Sequence, residues 1–153
     1  MSLPIEFLRF LKNVSLFEGL TDDQLKKIMS ICELKDYKAG DYIIRQGAMA
    51  TEIFILYDGE CKVITGEENP QEIYVIKPTE IFGEIGFIDR FPRTASVVAT
   101  KDSKVISLKK SKFNLIRETE PQITAKIFEN FAYILAKRIR KTDEMLARAL
   151  LNI

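Results

Sequence analysis

Sixteen residues from Phe82 to Val97, reading FGEIGFIDRFPRTASV, concentrate the chemistry of this chain. Gly83 and Gly86 bracket Glu84 and Ile85, and a residue without a β-carbon lets a ligand come close to the backbone. If Glu84 to Phe87 opens a helical turn, its first amide N–H groups have no partner inside the helix. They then face an anion such as a phosphate oxygen. Arg93, nine positions after Glu84, adds a planar, permanently charged fork for the same oxygens. Glu84 would repel a phosphate, so a different task suits it: accepting a hydrogen bond from a ribose hydroxyl. The expected ligand carries both groups.

FGEIG followed by RTAS resembles the phosphate-binding cassette of cyclic nucleotide-binding domains. The resemblance extends to IIRQG and EIFILYDGECKVI, where that family places a glycine turn between paired strands. It implies that Glu84 binds the ribose 2′-hydroxyl and Arg93 the exocyclic phosphate oxygens. The amides of Ile85, Gly86 and Ala95 would complete the phosphate cage, with Gly83 allowing the close approach and Phe82 counted among the ligand-binding residues. Thr94 would add a hydroxyl near phosphate and base. Phe87 and the insert Asp89-Arg90-Phe91-Pro92 depart from the kinase-type spelling without removing a ligand group. The implied function is a sensing or regulatory module for cAMP, with cGMP as the other candidate, and with no cofactor. The bland alternative for Glu84 and Arg93 is a surface ion pair worth about 0–1 kcal/mol.

Histidine is absent from the 153 residues, which removes the commonest general base and metal ligand together. A Ser–His–Asp triad, a histidine zinc site and a histidine-ligated haem are thereby excluded, and no enzymatic activity is expected. Cys32 and Cys61 are too few and too far apart for a disulfide framework or a four-cysteine metal site. A net charge of +1, with 46% apolar and 29% charged residues, is that of an ordinary globular domain. No apolar run approaches the roughly 18 residues of a membrane span, and MSLPIEFLRFL lacks the flank and cleavage site of a secretory signal. The expectation is one cytoplasmic domain, without membrane or nucleic-acid partners of its own.

Three regions must position the cassette. Residues 1–33 read as helices: a short one over Pro4 to Val14, then one opened by a capping box at Thr21-Asp22-Asp23-Gln24. From Leu34 the period becomes two, with turns at Gly40, Gly47, Gly59, Asn69-Pro70 and Lys77-Pro78. Strands are expected over Tyr42–Arg45, Glu52–Tyr57, Cys61–Thr65, Glu72–Ile76, Thr94–Thr100 and Lys104–Leu108. Residues 34–109 are thus expected to form a small antiparallel roll or sandwich, the resemblance implies the roll, and the fold class is α+β, mostly β, with flanking helices. Residues 110–153 give a short helix over Ser111 to Glu118 and a long one from Pro121 to about Leu150.

The long helix carries an apolar stripe through Ile127/Phe128, Phe131, Leu135, Ile139, Met145/Leu146 and Ala149/Leu150. A roll of this size covers only part of it, so a second copy of the helix, making a homodimer, is the simplest cover. Two alternatives are a frayed end and docking on another neighbour. Thr142 interrupts the stripe. The resemblance implies a threonine on this helix touching the purine, whereas the local alternative is a hydroxyl bonded back to the preceding turn. Lys137, Arg138, Arg140 and Lys141 beside it read as a solvated face. Two other readings stay open: a dimerising scaffold without ligand, and the sensor half of a transcription regulator whose reader domain would follow the long helix.

Overall fold

The N-terminal helices form where local chemistry asks for them. The computed structural model describes residues 3–66, 68–89 and 91–152, so Arg90 of the cassette insert lies outside them. At Thr21 the capping box is complete: the Gln24 amide donates to the threonine hydroxyl at 3.2 Å, and the Thr21 amide donates to the glutamine side chain at 3.0 Å. It opens helix α2 (Asp22–Met29), whose buried residues are Leu25, Ile28 and Met29. The helix expected over Pro4 to Val14 is instead a 3-10 turn, Ile5–Phe7, running into one α-turn, α1 (Leu8–Leu11). So short a segment has little helical stability of its own, and burial of Phe7, Leu11 and Val14 decides its path.

Eight strands follow: β1 (Cys32–Tyr37), β2 (Tyr42–Ile44), β3 (Glu52–Asp58), β4 (Cys61–Thr65), β5 (Gln71–Ile76), β6 (Ile81–Phe82), β7 (Ser96–Ala99) and β8 (Ser103–Lys109). They make two antiparallel four-stranded sheets, ordered β1-β8-β3-β6 and β2-β7-β4-β5. One apolar cluster, with Phe54, Leu56, Phe82 and Val97, fills the space between the sheets. A second, larger one lies under the helices and includes Ile53, Ile55, Phe87, Phe113 and Ile127. Gly40, Gly47 and Gly59 all have positive φ, as their turns require.

Besides β1, which begins at Cys32 inside the stretch read as helical, strand β6 is absent from the sequence reading. At two residues it is too short for periodicity to reveal, yet its pairing of Phe82 with Phe54 and Ile81 with Ile55 anchors the cassette to β3. Gly83 then turns the chain with φ 78° into α3 (Glu84–Asp89). A β-carbon there would lie 2.9 Å from Arg93 Nη1 and 3.0 Å from Ile44 Cδ1.

Helix α4 (Lys110–Thr119) leads into α5 (Pro121–Leu151). The first half of α5 is welded to the domain: Ile123, Ile127 and Phe131 are buried, and the Asn130 amide donates to the carbonyls of Leu16 at 2.8 Å and Glu18 at 2.9 Å. Beyond it Ile139, Met145, Leu146 and Leu150 are each more than half exposed. Among the described residues, no helix is long and apolar enough to cross a membrane.

Two outcomes follow from this architecture. Gly83→Ala should destabilise the domain by about 1–3 kcal/mol in urea denaturation, because alanine pays a left-handed penalty and crowds Arg93. Cys32 and Cys61 are both fully buried, and burial pushes the Cys32 thiol up to about 12 and the Cys61 thiol upward too. Since the thiolate is the reactive form, a thiol reagent at pH 8 should label neither cysteine in native protein and both in guanidinium.

Candidate ligand-binding site

The turn at Gly83 brings the two charged residues of the cassette to one place. Phe82 to Gly86 and Arg93 to Ala95 all line a single cavity at the opening of the roll. Glu84 is only 5% exposed and Arg93 8%, which rules out the surface ion pair. Their partners differ as well.

Arg93 is placed by its backbone first. Its amide donates to the Ala48 carbonyl, and its own carbonyl accepts from the Gly47 amide, each at 2.8 Å. The guanidinium then donates through Nη1 to the Gly83 carbonyl and through Nη2 to the Glu52 carbonyl at 2.5 Å. Glu52 is itself fixed, because its carboxylate takes the Lys35 ammonium at 2.7 Å and the Ser107 hydroxyl. A guanidinium has five N–H donors, so these contacts orient the fork and leave further donors for an anion. Burial pulls Arg93 below its ordinary value, opposed by the charges of Glu84 and Glu52. It stays protonated at any working pH.

Glu84, at the start of α3, meets a partner from far along the chain. Arg138 of α5 donates to its carboxylate through Nη1 and to the Ile81 carbonyl through Nη2 at 2.9 Å. Arg138 lines the same cavity, so the solvated-face reading of the basic cluster fails at this residue. Its side chain reaches inward because a buried carboxylate needs a counter-charge and hydrogen-bond donors. Sequence held a partial signal for it: Arg138 lies four positions before Thr142, on one helical face. Nothing in the sequence distinguished it from Lys137, Arg140 and Lys141.

The remaining site residues divide. Phe82 is buried, its ring stacked on Phe54 at 5.3 Å between centroids. Ile85 and Thr94 are exposed, Gly86 is buried and Ala95 half-buried. Thr142 stands outside the cavity lining, exposed, with its hydroxyl donating to the Arg138 carbonyl at 2.9 Å. The apolar wall that sequence reasoning did not assign comes from the strands: Ile44, Val63, Tyr74, Ile76 and Val97. The cavity is thus charged and polar at the cassette and apolar over β4 and β5.

Helix α3 also touches the C-terminal helices. The Phe87 ring lies 5.6 Å from Phe113 of α4 and 6.3 Å from Phe131 of α5, centroid to centroid. Lys110 Nζ donates to the Phe87 carbonyl at 2.5 Å. Any shift of α3 is therefore felt by both helices.

Residues 34–120 match the family described as cyclic nucleotide-binding domain. The chain is 33% identical over 112 residues to cGMP-dependent protein kinase egl-4 of Caenorhabditis elegans, which covers 71% of this chain and 14% of that protein. It is 38% identical over 100 residues to mouse cGMP-dependent protein kinase 2, covering 63% and 13%. The chain therefore spans about a seventh of the length of these curated relatives. Among solved structures, the catabolite activator protein of Thermus thermophilus superimposes with a TM-score of 0.76 at 25% identity, over 86% of this chain and 61% of that one. A cyclic nucleotide-binding domain from Methylobacillus flagellatus shares the fold, with a TM-score of 0.83 at 21% identity over 94% and 82%. By sequence and by architecture, this chain belongs to the cyclic nucleotide-binding domain family.

Proposed function

We propose that this chain is a regulatory domain that binds a 3′,5′-cyclic nucleotide through the cassette at residues 82–97 and passes occupancy to its C-terminal helices. One observation carries the reading: a carboxylate and a guanidinium, both more than nine-tenths buried, face one cavity between glycine-lined backbone and an apolar wall. Arg93 has donors left for the exocyclic phosphate oxygens. Glu84 has an oxygen left for the ribose 2′-hydroxyl, since Arg138 engages Oε1. The amides of Ile85, Gly86 and Ala95, with the Thr94 hydroxyl, complete the cage.

Transmission runs through two contacts of α5. Arg138 shares Glu84 with the ribose, and Phe87 links α3 to the aromatic cluster of α4 and α5. A ligand that changes the first, or draws α3 inward, shifts the population of α5 arrangements only by its difference in affinity for them. cAMP is the favoured nucleotide: a turn of α5 that brings Thr142 over the base would set its hydroxyl at the purine amino group. The C-terminal helices within residues 110–153 are the moving parts against the roll at 34–109, and the setting is cytoplasmic. Arg93→Ala should weaken cAMP binding by about 2–5 kcal/mol and Glu84→Ala by about 1.5–3 kcal/mol, measured by calorimetry. Equal affinity of wild type and Arg93→Ala would refute the assignment, and a wild type that gains no thermal stability at saturating cAMP or cGMP would favour the ligand-free scaffold.

A second copy of the chain is the partner proposed for α5. Its far half exposes Ile139, Met145, Leu146 and Leu150, each at 55% or more, a stripe left uncovered among the described residues. Sedimentation equilibrium should give twice the chain mass, and Ile139→Lys with Leu146→Lys should return it to one.

A further inference from the structure

We infer that Lys35 is a positioning residue for the phosphate grip: from strand β1, and through the Glu52 carboxylate, it fixes the carbonyl that aims Arg93. The inference rests on the ligand assignment above. Strand β6 ends at Phe82, opposite Phe54 of β3. Past that pair the Arg93 guanidinium takes over, donating through Nη1 to the Gly83 carbonyl and through Nη2 to the Glu52 carbonyl. Arg93 therefore bridges the two segments beyond their last paired residues. Its aim depends on where Glu52, the first residue of β3, is held. Strand β8 pairs with Glu52 from one side, and the Glu52 side chain ties the same residue into the roll a second time.

Alternation along β3 sets Glu52 on the face of Phe54 and Leu56, which belong to the apolar cluster between the sheets. There its Oε2 accepts from Lys35 Nζ at 2.7 Å and from the Ser107 hydroxyl. Lys35 pairs with Val105, another member of that cluster, and Ser107 shares the face of Val105 along β8. Three polar side chains thus take inward positions at the end of an otherwise apolar layer. Ser107 is 1% exposed. Among the described ion pairs, Lys35–Glu52 alone has both side chains less than a third exposed. A rim pair would leave the carboxylate to water, whereas this one leaves it dependent on its partner. Lys109 stands across the ladder from Glu52, but its charge acts chiefly on Glu33. Without the Lys35 ammonium, the Glu52 carboxylate is stranded near Arg93, whose charge it already acts on. The guanidinium then turns from carbonyl to carboxylate, and an incoming anion meets a neutralised fork.

The test is calorimetric titration of the full chain with cAMP and cGMP, which share the phosphate Arg93 would meet, beside urea denaturation to show that each variant folds. Lys35→Met should bind about ten-fold more weakly than wild type, within the coupling range of residues in one network. Adding Glu52→Gln removes the stranded charge and keeps the backbone carbonyl. The double variant should therefore return to within about three-fold of wild type. A role in packing alone predicts no such rescue, because the second substitution only removes more of the network. A double variant as weak as Lys35→Met, or weaker, overturns the inference, and so does unchanged affinity in Lys35→Met. If Lys35→Met does not fold, Ser107→Ala decides, by removing the other donor to Oε2. A loss of about two-fold or more then supports the inference, and unchanged affinity overturns it. Failure of wild type to bind either nucleotide instead sinks the ligand assignment itself.

Discussion

A carboxylate sunk to 5% exposure is the constraint on which this structure turns. Glu84 cannot remain charged there without donors, and an uncompensated buried charge costs several kcal/mol. Arg93, the cassette's own cation, is turned instead to the carbonyls of Gly83 and Glu52. The charge is met from the other end of the chain, by Arg138. Arg138 keeps 39% of its side-chain surface in solvent, so the pair lies between the weak surface case and the costly buried one.

The same arrangement joins a small cavity to a long helix. Asn130 and the buried stripe through Phe131 hold the first half of α5 to the N-terminal segment. The second half is tied to the roll by polar and charged contacts at Arg138 and Lys141, both of which end at the cavity wall. Apolar packing resists displacement over its whole area, whereas a few exposed charged contacts exchange readily with water. Phe87 adds a mechanical path, since it sits on α3 and packs on both C-terminal helices.

Much of this was legible in the sequence, for local reasons. The capping box at Thr21 and Gln24, the positive-φ glycines and the start of a helix at Glu84 are each decided within a few residues. The strands from β2 to β5 and the long α5 carry strong periodicity, and their ends moved by at most one residue. β6 escaped because two residues have no period. The split of the N-terminal helix escaped because core packing, a long-range term, overrode the local pattern there. Thr142 carried two readings, and the bond back to Arg138 is the one present.

Residue type and spacing by themselves determined the cassette: glycines where backbone must come close, one carboxylate, one guanidinium, and the roll that carries them. Only the tertiary structure decided who answers Glu84 and which side chains build the apolar wall of the cavity. Arg138 stands 54 positions from Glu84, and Tyr74 enters the wall from an edge strand whose exposure looks ordinary in sequence. Charge neutralisation and side-chain packing act through space, and the chain order of four neighbouring cations or five tyrosines carries no record of which one the fold turns inward.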